Sequence, residues 1–479
     1  MKDGYIPQNE RKKILLLCDD IRVHSGVAGV AREMVINTCH RYNWVNLGGA
    51  VKHPEQGKRF DISKDTDKHA GIEDSSVILY PVSGYGTPDL IRQMMKIEKP
   101  DAIFLITDPR YFTWLFKMEM ELRKEIPIIY LNIWDDYPAP MYNQAYYDSC
   151  DGLLGISKQT VNINELVLGD KAKDKVLKYV PHGISTEYFK PLDADDSGLN
   201  QFKQKLFGDK EFDFVVMFNS RNIRRKQIPD TLLAFRMFLD RLEPEQRSKC
   251  AIVLHTQKVD QHGTDLPAIV EYLFEKEDNV IFSDQRLSAV EMNYLYNLAD
   301  TGILLSSNEG WGLALTECML TGTPFIANVT GGMQDQMRFK DGQGNWFTPS
   351  KEVPSNHTGK FKEHGEWAFP VFPSNRSIQG SVPTPYIWDD RVDPKDASDA
   401  IYDAYFFNGK EKLKERGMKG REWALGDEAG FTAKIMGERI IEGIKKPLKS
   451  SSLETVTSSL TRTIIKLKSY HTSYIIKNE

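Results

Sequence analysis

The sequence predicts an α/β protein made of two doubly wound βα domains, and three observations carry that reading. Short apolar runs alternate with amphipathic segments along most of the chain, the pattern of parallel strands joined by helical crossovers. Several of those runs end in small or acidic residues that lead directly into helical spacing. Ligands of open α/β sheets gather at such strand-to-helix turns. Finally, 479 residues exceed what one typical core encloses.

Taken in order, Lys13–Cys18 is a first strand ending in Asp19-Asp20. Ser25-Gly26-Val27-Ala28-Gly29 then opens a helix running to about His40, with small residues where a backbone could approach a ligand. Such a glycine loop also serves tight packing alone. Val77–Pro81, Ala102–Thr107 and Ile128–Ile133 read as further strands, followed by Ser83–Gly86 with Tyr85, by Thr107–Arg110, and by Trp134-Asp135-Asp136-Tyr137. Asp135 or Asp136 could contact an acceptor hydroxyl or cap the next segment. Gly152–Ser157 is another strand, and Pro181-His182-Gly183 is a rigid turn closing the first domain, with His182 read first as structural.

A second series begins at Phe212–Phe218 and runs into Asn219-Ser220-Arg221-Asn222-Ile223-Arg224-Arg225-Lys226 ahead of a helix over 230–239. Ala251–Thr256 and Val280–Phe282 continue the second sheet, and Ser288 with Glu291 forms a capping box. Thr301–Leu305 is a buried strand leading into Ser306–Pro324, around which the chain is organised. Gly310 and Gly312 break the chain there and Leu313–Leu320 has helical spacing, so Glu309 falls in the turn and Glu317 inside the helix. A helix N-terminus offers free N–H groups and partial positive charge to a phosphate, while two carboxylates flanking it could grip hydroxyls. On spacing alone the same stretch could be a generic turn with two solvated glutamates.

Composition narrows the class. Hydrophobic content of 41% and charged content of 27% are ordinary for a globular protein. A formal net charge of -5 gives no global attraction to nucleic acid or anionic membrane. No apolar stretch reaches the length of a membrane span, and Met1–Tyr5 opens no signal-peptide core. Five scattered cysteines, without metal-ligand spacing, fit free thiols in a reducing cytoplasm, where the sequons at Asn356 and Asn375 carry no weight.

Glu309 and Glu317, with seven residues between them, together with Gly310-Trp311-Gly312-Leu313, Gly322-Thr323-Pro324 and Gly331-Gly332, resemble the paired-glutamate motif of retaining glycosyltransferases, with family 4 the best match. Arg221 and Lys226, with four residues between them, match the Arg and Lys that clamp the donor diphosphate in that family. The resemblance covers most of Lys13–Gly332. It departs at Ser25, Ser220 and Gln227, where glycines are usual, at Trp134-Asp135, where a His-Asp pair is usual, and at Ser185, where an aspartate is usual.

The resemblance implies a GT-B fold, with two Rossmann-like βα domains facing across a cleft and a C-terminal helix crossing back to the first. It assigns 1–192 to the acceptor side, 193–422 to nucleotide-sugar binding with an insertion at 338–394, 423–444 to the crossover helix and 445–479 to a tail. The donor would be a UDP- or GDP-sugar, with no cofactor and no metal required. Glu309, Arg221 and Lys226 would be catalytic, with Glu309 holding sugar hydroxyls. Glu317 would take the ribose hydroxyls. Gly26, Val27, Arg286, Leu287, Gly310, Trp311, Gly312 and Leu313 would complete the donor site.

Asp135, Asp136 and Tyr85 are candidate acceptor contacts. Acceptor class stays open among glycan, lipid, protein, small molecule and modified DNA. The chain also resembles phage-encoded members of that family, which makes hydroxymethylated DNA bases one candidate. A GT-B epimerase and a non-catalytic nucleotide-sugar-binding protein are the competing readings; the Gly-Trp-Gly-Leu glutamate motif disfavours the first, and the intact Arg221, Lys226, Glu309 and Glu317 set disfavours the second. The insertion at 338–394, rich in Pro, Gly, Trp and Phe, is a candidate acceptor or self-association surface or a decoration. The tail from Lys445 carries seven Lys/Arg against two Glu. It reads as disordered by default, with docking to an acidic polymer or membrane surface as the alternative.

Overall fold

A computed structural model describes residues 3–50, 52–274, 279–350 and 356–450. The first sheet contains β1 (Lys12–Asp19), β2 (Tyr42–Ala50), β3 (Phe60–Asp61), β4 (Val77–Ser83), β5 (Ala102–Ile106), β6 (Ile128–Asn132), β7 (Gly152–Gly155) and β8 (Val176–Tyr179) in the order β3-β4-β2-β1-β5-β6-β7-β8. Every pairing is parallel except β3 with β4. The uninterrupted apolar run Ile14–Cys18 is fully buried, as a strand covered on both faces must be. Strands β2, β3 and β8 are not expected from the sequence; Asn43, Asn46 and two glycines interrupt the apolar pattern of β2.

The second sheet holds β9 (Phe214–Asn219), β10 (Cys250–His255), β11 (Val280–Phe282), β12 (Thr301–Leu304), β13 (Phe325–Asn328) and β14 (Ala368–Val371) in the order β11-β10-β9-β12-β13-β14, all parallel. The strand order reverses between β9 and β12. The chain therefore leaves these neighbours towards opposite flanks, and a crevice opens beyond their carboxyl ends. In the first sheet the same reversal falls between β1 and β5.

The 338–394 stretch supplies the edge strand β14 and then a separate antiparallel hairpin, β15 (Asn375–Ser381) with β16 (Thr384–Arg391). The helical region expected over 396–422 is two helices, Pro394–Tyr405 and Lys410–Leu425. Trp423 lies in the last turn of the second of these instead of opening the last helix, which runs Ala433–Ser450. Glycines at 426 and 430, the latter at φ +59°, make the turn between them.

That last helix returns to the first domain. It packs along the helix Gly26–Thr38, with Gly437 against the Asn37 backbone, and Gly443 lies over Leu154 of β7. The interdomain turn is clamped in the same place: Ala433 N–H donates to Ile184 O (3.0 Å), and Gly183 lies so close to Thr432 that a side chain would not fit. All five cysteines are buried free thiols. Among the described residues no helix is long and apolar enough to cross a membrane. Of the tail, residues 445–450 belong to the last helix and 451–479 lie outside the described residues.

Candidate active site

Strand order brings two loops together. The turn after β9 carries Arg221–Lys226 and the turn after β12 carries Ser306–Gly312, and the two strands are neighbours. Ser307 N–H donates to Arg225 O (2.8 Å) and Arg225 Nη1 donates to Asn308 O (2.6 Å), which fastens one turn to the other.

At their junction Lys226 Nζ donates to Glu309 Oε1, Arg225 Nη1 lies 3.1 Å from Glu309 Oε2, and Ser306 Oγ donates to Oε1 at 2.9 Å. The side chains of Lys226 and Glu309 are 10% and 6% exposed and that of Arg225 37%. Burial pushes the Glu309 carboxyl up, but the two cations outweigh it and hold the group at about 2. Burial and the neighbouring guanidinium bring Lys226 down to about 8. Both groups are therefore ionised at neutral pH.

Arg221 is placed differently. Its side chain is 60% exposed, and its Nε pairs with Asp260 beyond β10 at 3.1 Å. The sequence pattern gives Arg225 no role, and adjacency to Lys226 is its one signal there. In the structure it, rather than Arg221, joins Lys226 on Glu309.

Gly310 crosses between the domains. A Cβ there would sit 2.8 Å from Ile133 O and 2.9 Å from Ile156 Cδ1, both in the first domain. Gly331 and Gly332 pack on the other side, where added Cβ atoms would meet Glu309 O and Gly310 O at 2.0 and 2.1 Å. Trp311 is a core side chain with its edge on Phe431 at 4.8 Å and its Nε1 donating to Thr316 Oγ1. Gln336 Nε2 holds the carbonyls of Trp311 and Gly312. The helix Leu313–Thr321 starts from Gly312 at φ +87° with no side-chain cap, which leaves its first N–H groups available for an anion.

Glu317, one turn along, accepts from Tyr296 O–H and from Asn219 Nδ2 (3.3 Å). Burial raises its carboxyl to about 7 against those two donors. It lines a cleft of about 2000 Å³ that also takes Gly26 from the first domain and Leu287 and Leu313 from the second. Leu313 Cδ1 is 3.5 Å from where a Gly26 Cβ would stand. Ser25, where the family has glycine, caps its helix by accepting from Ala28 N–H and donates to Asp19 Oδ2. Val27 packs into the core beside Gly26, and Arg286 is exposed.

In the first domain, Trp134–Tyr137 abuts this turn. Asn308 Nδ2 donates to Asp136 Oδ1 and to Trp388 O of the hairpin, and Asp135 Oδ2 lies 3.9 Å from Arg225 Nη1. Burial, then repulsion from Asp135, pushes the Asp136 carboxyl well up. The hairpin seals this flank: Trp388 N–H donates to Tyr137 O (2.7 Å), and the Tyr386 ring meets Tyr142 edge-on at 4.9 Å. Tyr85 donates to Asp19 Oδ1 (2.7 Å) and stacks on Tyr111. His182 is buried, its Nδ1 has no hydrogen-bond partner among the described residues, and burial lowers it to about 4.

Two doubly wound sheets, a shared cleft and a returning C-terminal helix define a GT-B fold, and solved structures agree. HepE of Anabaena in complex with UDP and glucose is similar with a TM-score of 0.62, 14% identity, and coverage of 91% of this chain and 100% of that one. Sucrose-phosphate synthase of Thermosynechococcus elongatus is similar with a TM-score of 0.63 and 15% identity, over 92% of this chain and 100% of the other. Residues 201–353, which hold the whole Arg221–Lys226 and Glu309–Glu317 set, match the family described as Glycosyl transferases group 1. A curated relative, mannosylfructose-phosphate synthase of Agrobacterium fabrum, is 26% identical over 193 residues, which is 39% of this chain and 39% of that protein.

Proposed function

We propose that the protein is a retaining glycosyltransferase of family 4, moving a sugar from a nucleotide diphosphate sugar to an acceptor hydroxyl. Residues 1–192 with the returning helix form the acceptor side, and 193–422 the donor side. The observation that carries the reading is the Lys226–Glu309–Arg225 cluster at the strand-order reversal of the second sheet, beside a cleft with walls from both domains.

The chemical problem is charge separation: the nucleoside diphosphate leaves as an anion while the sugar gains oxocarbenium character. Leu313 and Glu317 line the cleft, and the Lys226–Glu309–Arg225 cluster lies in the turn just before them, outside that lining. Free N–H groups at Leu313 and the ammonium of Lys226 receive the phosphates. Arg221, whose own side chain is 60% exposed, turns in from Asp260. As the phosphates take up the cations, Glu309 is released to accept hydrogen bonds from sugar hydroxyls and orient the anomeric carbon. Glu317 accepts from the ribose hydroxyls, and Gly310–Leu313 contribute backbone contacts. The departing phosphate takes the acceptor proton, so no separate general base is needed. Closure of Gly26 and Val27 over the diphosphate excludes water.

UDP-glucose is the first donor to test, because similar structures hold UDP and UDP-glucose. Incubation with UDP-glucose and GDP-mannose, following nucleotide release, tests the proposal. Release from one donor, lost in Glu309→Gln, is expected; no release from any nucleotide sugar refutes it.

A further inference from the structure

A second cavity, of about 490 Å³, opens at the outer edge of the second domain, where the edge strand β14 meets the helices Pro394–Tyr405 and Lys410–Leu425. It shares no lining residue with the cleft, and its size falls within the range of small-molecule sites. Arg416 stands between two of its rings, with the guanidinium carbon 4.3 Å from the centres of both Phe369 and Phe407. Nε donates to Glu366 O and Nη2 to Ala368 O (3.4 Å), which leaves Nη1 without a partner among the described residues. No carboxylate among them pairs with this guanidinium; that of Glu366 is taken by Lys419 Nζ at 2.6 Å. Asp403 and Asn408 line the same cavity, both are exposed, and neither side chain has a hydrogen-bond or ion-pair partner among the described residues. Phe406, 49% exposed, completes the wall. Its ring rests on Tyr402 at 4.4 Å and Tyr405 at 4.7 Å, and backbone bonds from Phe406 N–H to Tyr402 O (3.0 Å) and from Asn408 N–H to Phe406 O (2.7 Å) hold the turn.

The cavity therefore offers a cationic donor, an acceptor-only carboxylate and an amide beside phenylalanine rings. The charges of Arg416 and Asp403 are opposite, so the pair gives no net preference for an ion: a phosphate would meet Asp403 and an ammonium would meet Arg416. What fits is a neutral ligand with an apolar face and a rim of groups that both donate and accept. A pyranose ring has that form. Its C–H bonds turn a positively polarised face to an aromatic ring, and each hydroxyl on its edge can accept from Arg416 or donate to Asp403. We infer that this cavity is a saccharide-binding site separate from the cleft, taking a neutral sugar unit against Phe406, with its hydroxyls on Asp403, Asn408 and Arg416 Nη1. The exposed rim leaves the next sugars of a glycan in water. The helix Lys410–Leu425 carries Arg416 here and Leu425 in the lining of the cleft, about 14 Å apart along its axis. The inference goes beyond the transferase reading and does not depend on it.

The experiment uses the full chain and saturation-transfer difference NMR, with maltose, cellobiose and lactose as neutral probes and glucuronate and UMP as charged controls. At least one disaccharide should bind, with Kd on the order of 1 mM for so open a site. Phe406→Ala should weaken that binding at least about fivefold, the loss expected for one aromatic face. Asp403→Asn should weaken it about tenfold, the loss expected for one hydrogen bond to a charged group. Excess UDP should leave it unchanged. Absence of binding by all three disaccharides, binding that both variants keep, or competition by UDP overturns the inference. So does a site that takes glucuronate or UMP more tightly than the disaccharides and loses them in the same variants. None of these results touches the transferase reading, which nucleotide release tests by itself. Asp403→Asn, on an exposed side chain, keeps the test open if Phe406→Ala does not fold.

Discussion

Replacing Lys226 with methionine should cost about 3 kcal/mol of stability, at the lower end of the range for breaking a buried ion pair. The structure sets that figure. Glu309 loses its closest partner while 6% exposed, but keeps Arg225 Nη1 at 3.1 Å and Ser306 Oγ at 2.9 Å. The carboxylate is left half-compensated rather than stranded. The pH linkage of Glu309 gives a similar size. Its folded-state pKa of about 2 lies below the ordinary 4.5, so the group's contribution is present above pH 4.5. It is lost as pH falls through 2, and amounts to about 3 kcal/mol.

In the Lys226→Met/Glu309→Gln double variant no charge is left unpaired within the pair, and most of the loss should return. Thermal unfolding at pH 7 is the assay, with a drop of about 6 to 10 °C for the single variant and recovery of more than half in the double. A single variant within about 1 °C of the parent, or a double variant no better than the single, would refute the argument that the pair is buried and ionised.

Other outcomes follow from the same geometry. Gly310→Ala forces a Cβ to 2.8 Å from Ile133 O and should destabilise by about 1 to 3 kcal/mol while slowing turnover, read by calorimetry and steady-state rates. Because Glu317 is raised to about 7, UDP binding by titration calorimetry should weaken as pH falls from 8 to 6 and the carboxylate is protonated. Glu317→Gln should bind weakly with no such slope. His182, buried and lowered to about 4, takes up a proton more readily in the unfolded chain. Stability should therefore fall as pH drops from 6.5 towards 4, and His182→Gln should flatten that segment of the urea-midpoint profile.

Much of the fold was written in local pattern. Apolar runs such as Ile14–Cys18 and Ile252–Leu254 are strands because both faces are covered, and that leaves a continuous signature in the chain. Gly310, Gly312 and Gly331-Gly332 marked a turn around Glu309, since backbone approaches too closely for a side chain at 310, 331 and 332 and φ is +87° at 312. Strand β2 was missed because its asparagines and glycines carry no apolar period. The split between Lys410–Leu425 and Ala433–Ser450 was missed because Trp423, an aromatic with ordinary helical spacing, gives no stop signal. Ser25 departed from the expected glycine, yet capped its helix.

The sequence by itself determined two parallel sheets, the turn that carries Glu309, and the basic turn that would meet it. Which cation of that turn reaches the carboxylate was decided only in three dimensions. Arg221 and Arg225 are the same residue type four positions apart. The path of the chain after β9, fastened by the backbone hydrogen bond from Ser307 N–H to Arg225 O, sends Arg221 to Asp260 and Arg225 to Glu309. The join between Asp135 and Arg225, and the hairpin lying over Tyr137, likewise involve residues far apart along the chain. Nothing in their local composition distinguishes them from solvated surface, and only packing of one domain on the other takes them out of water together.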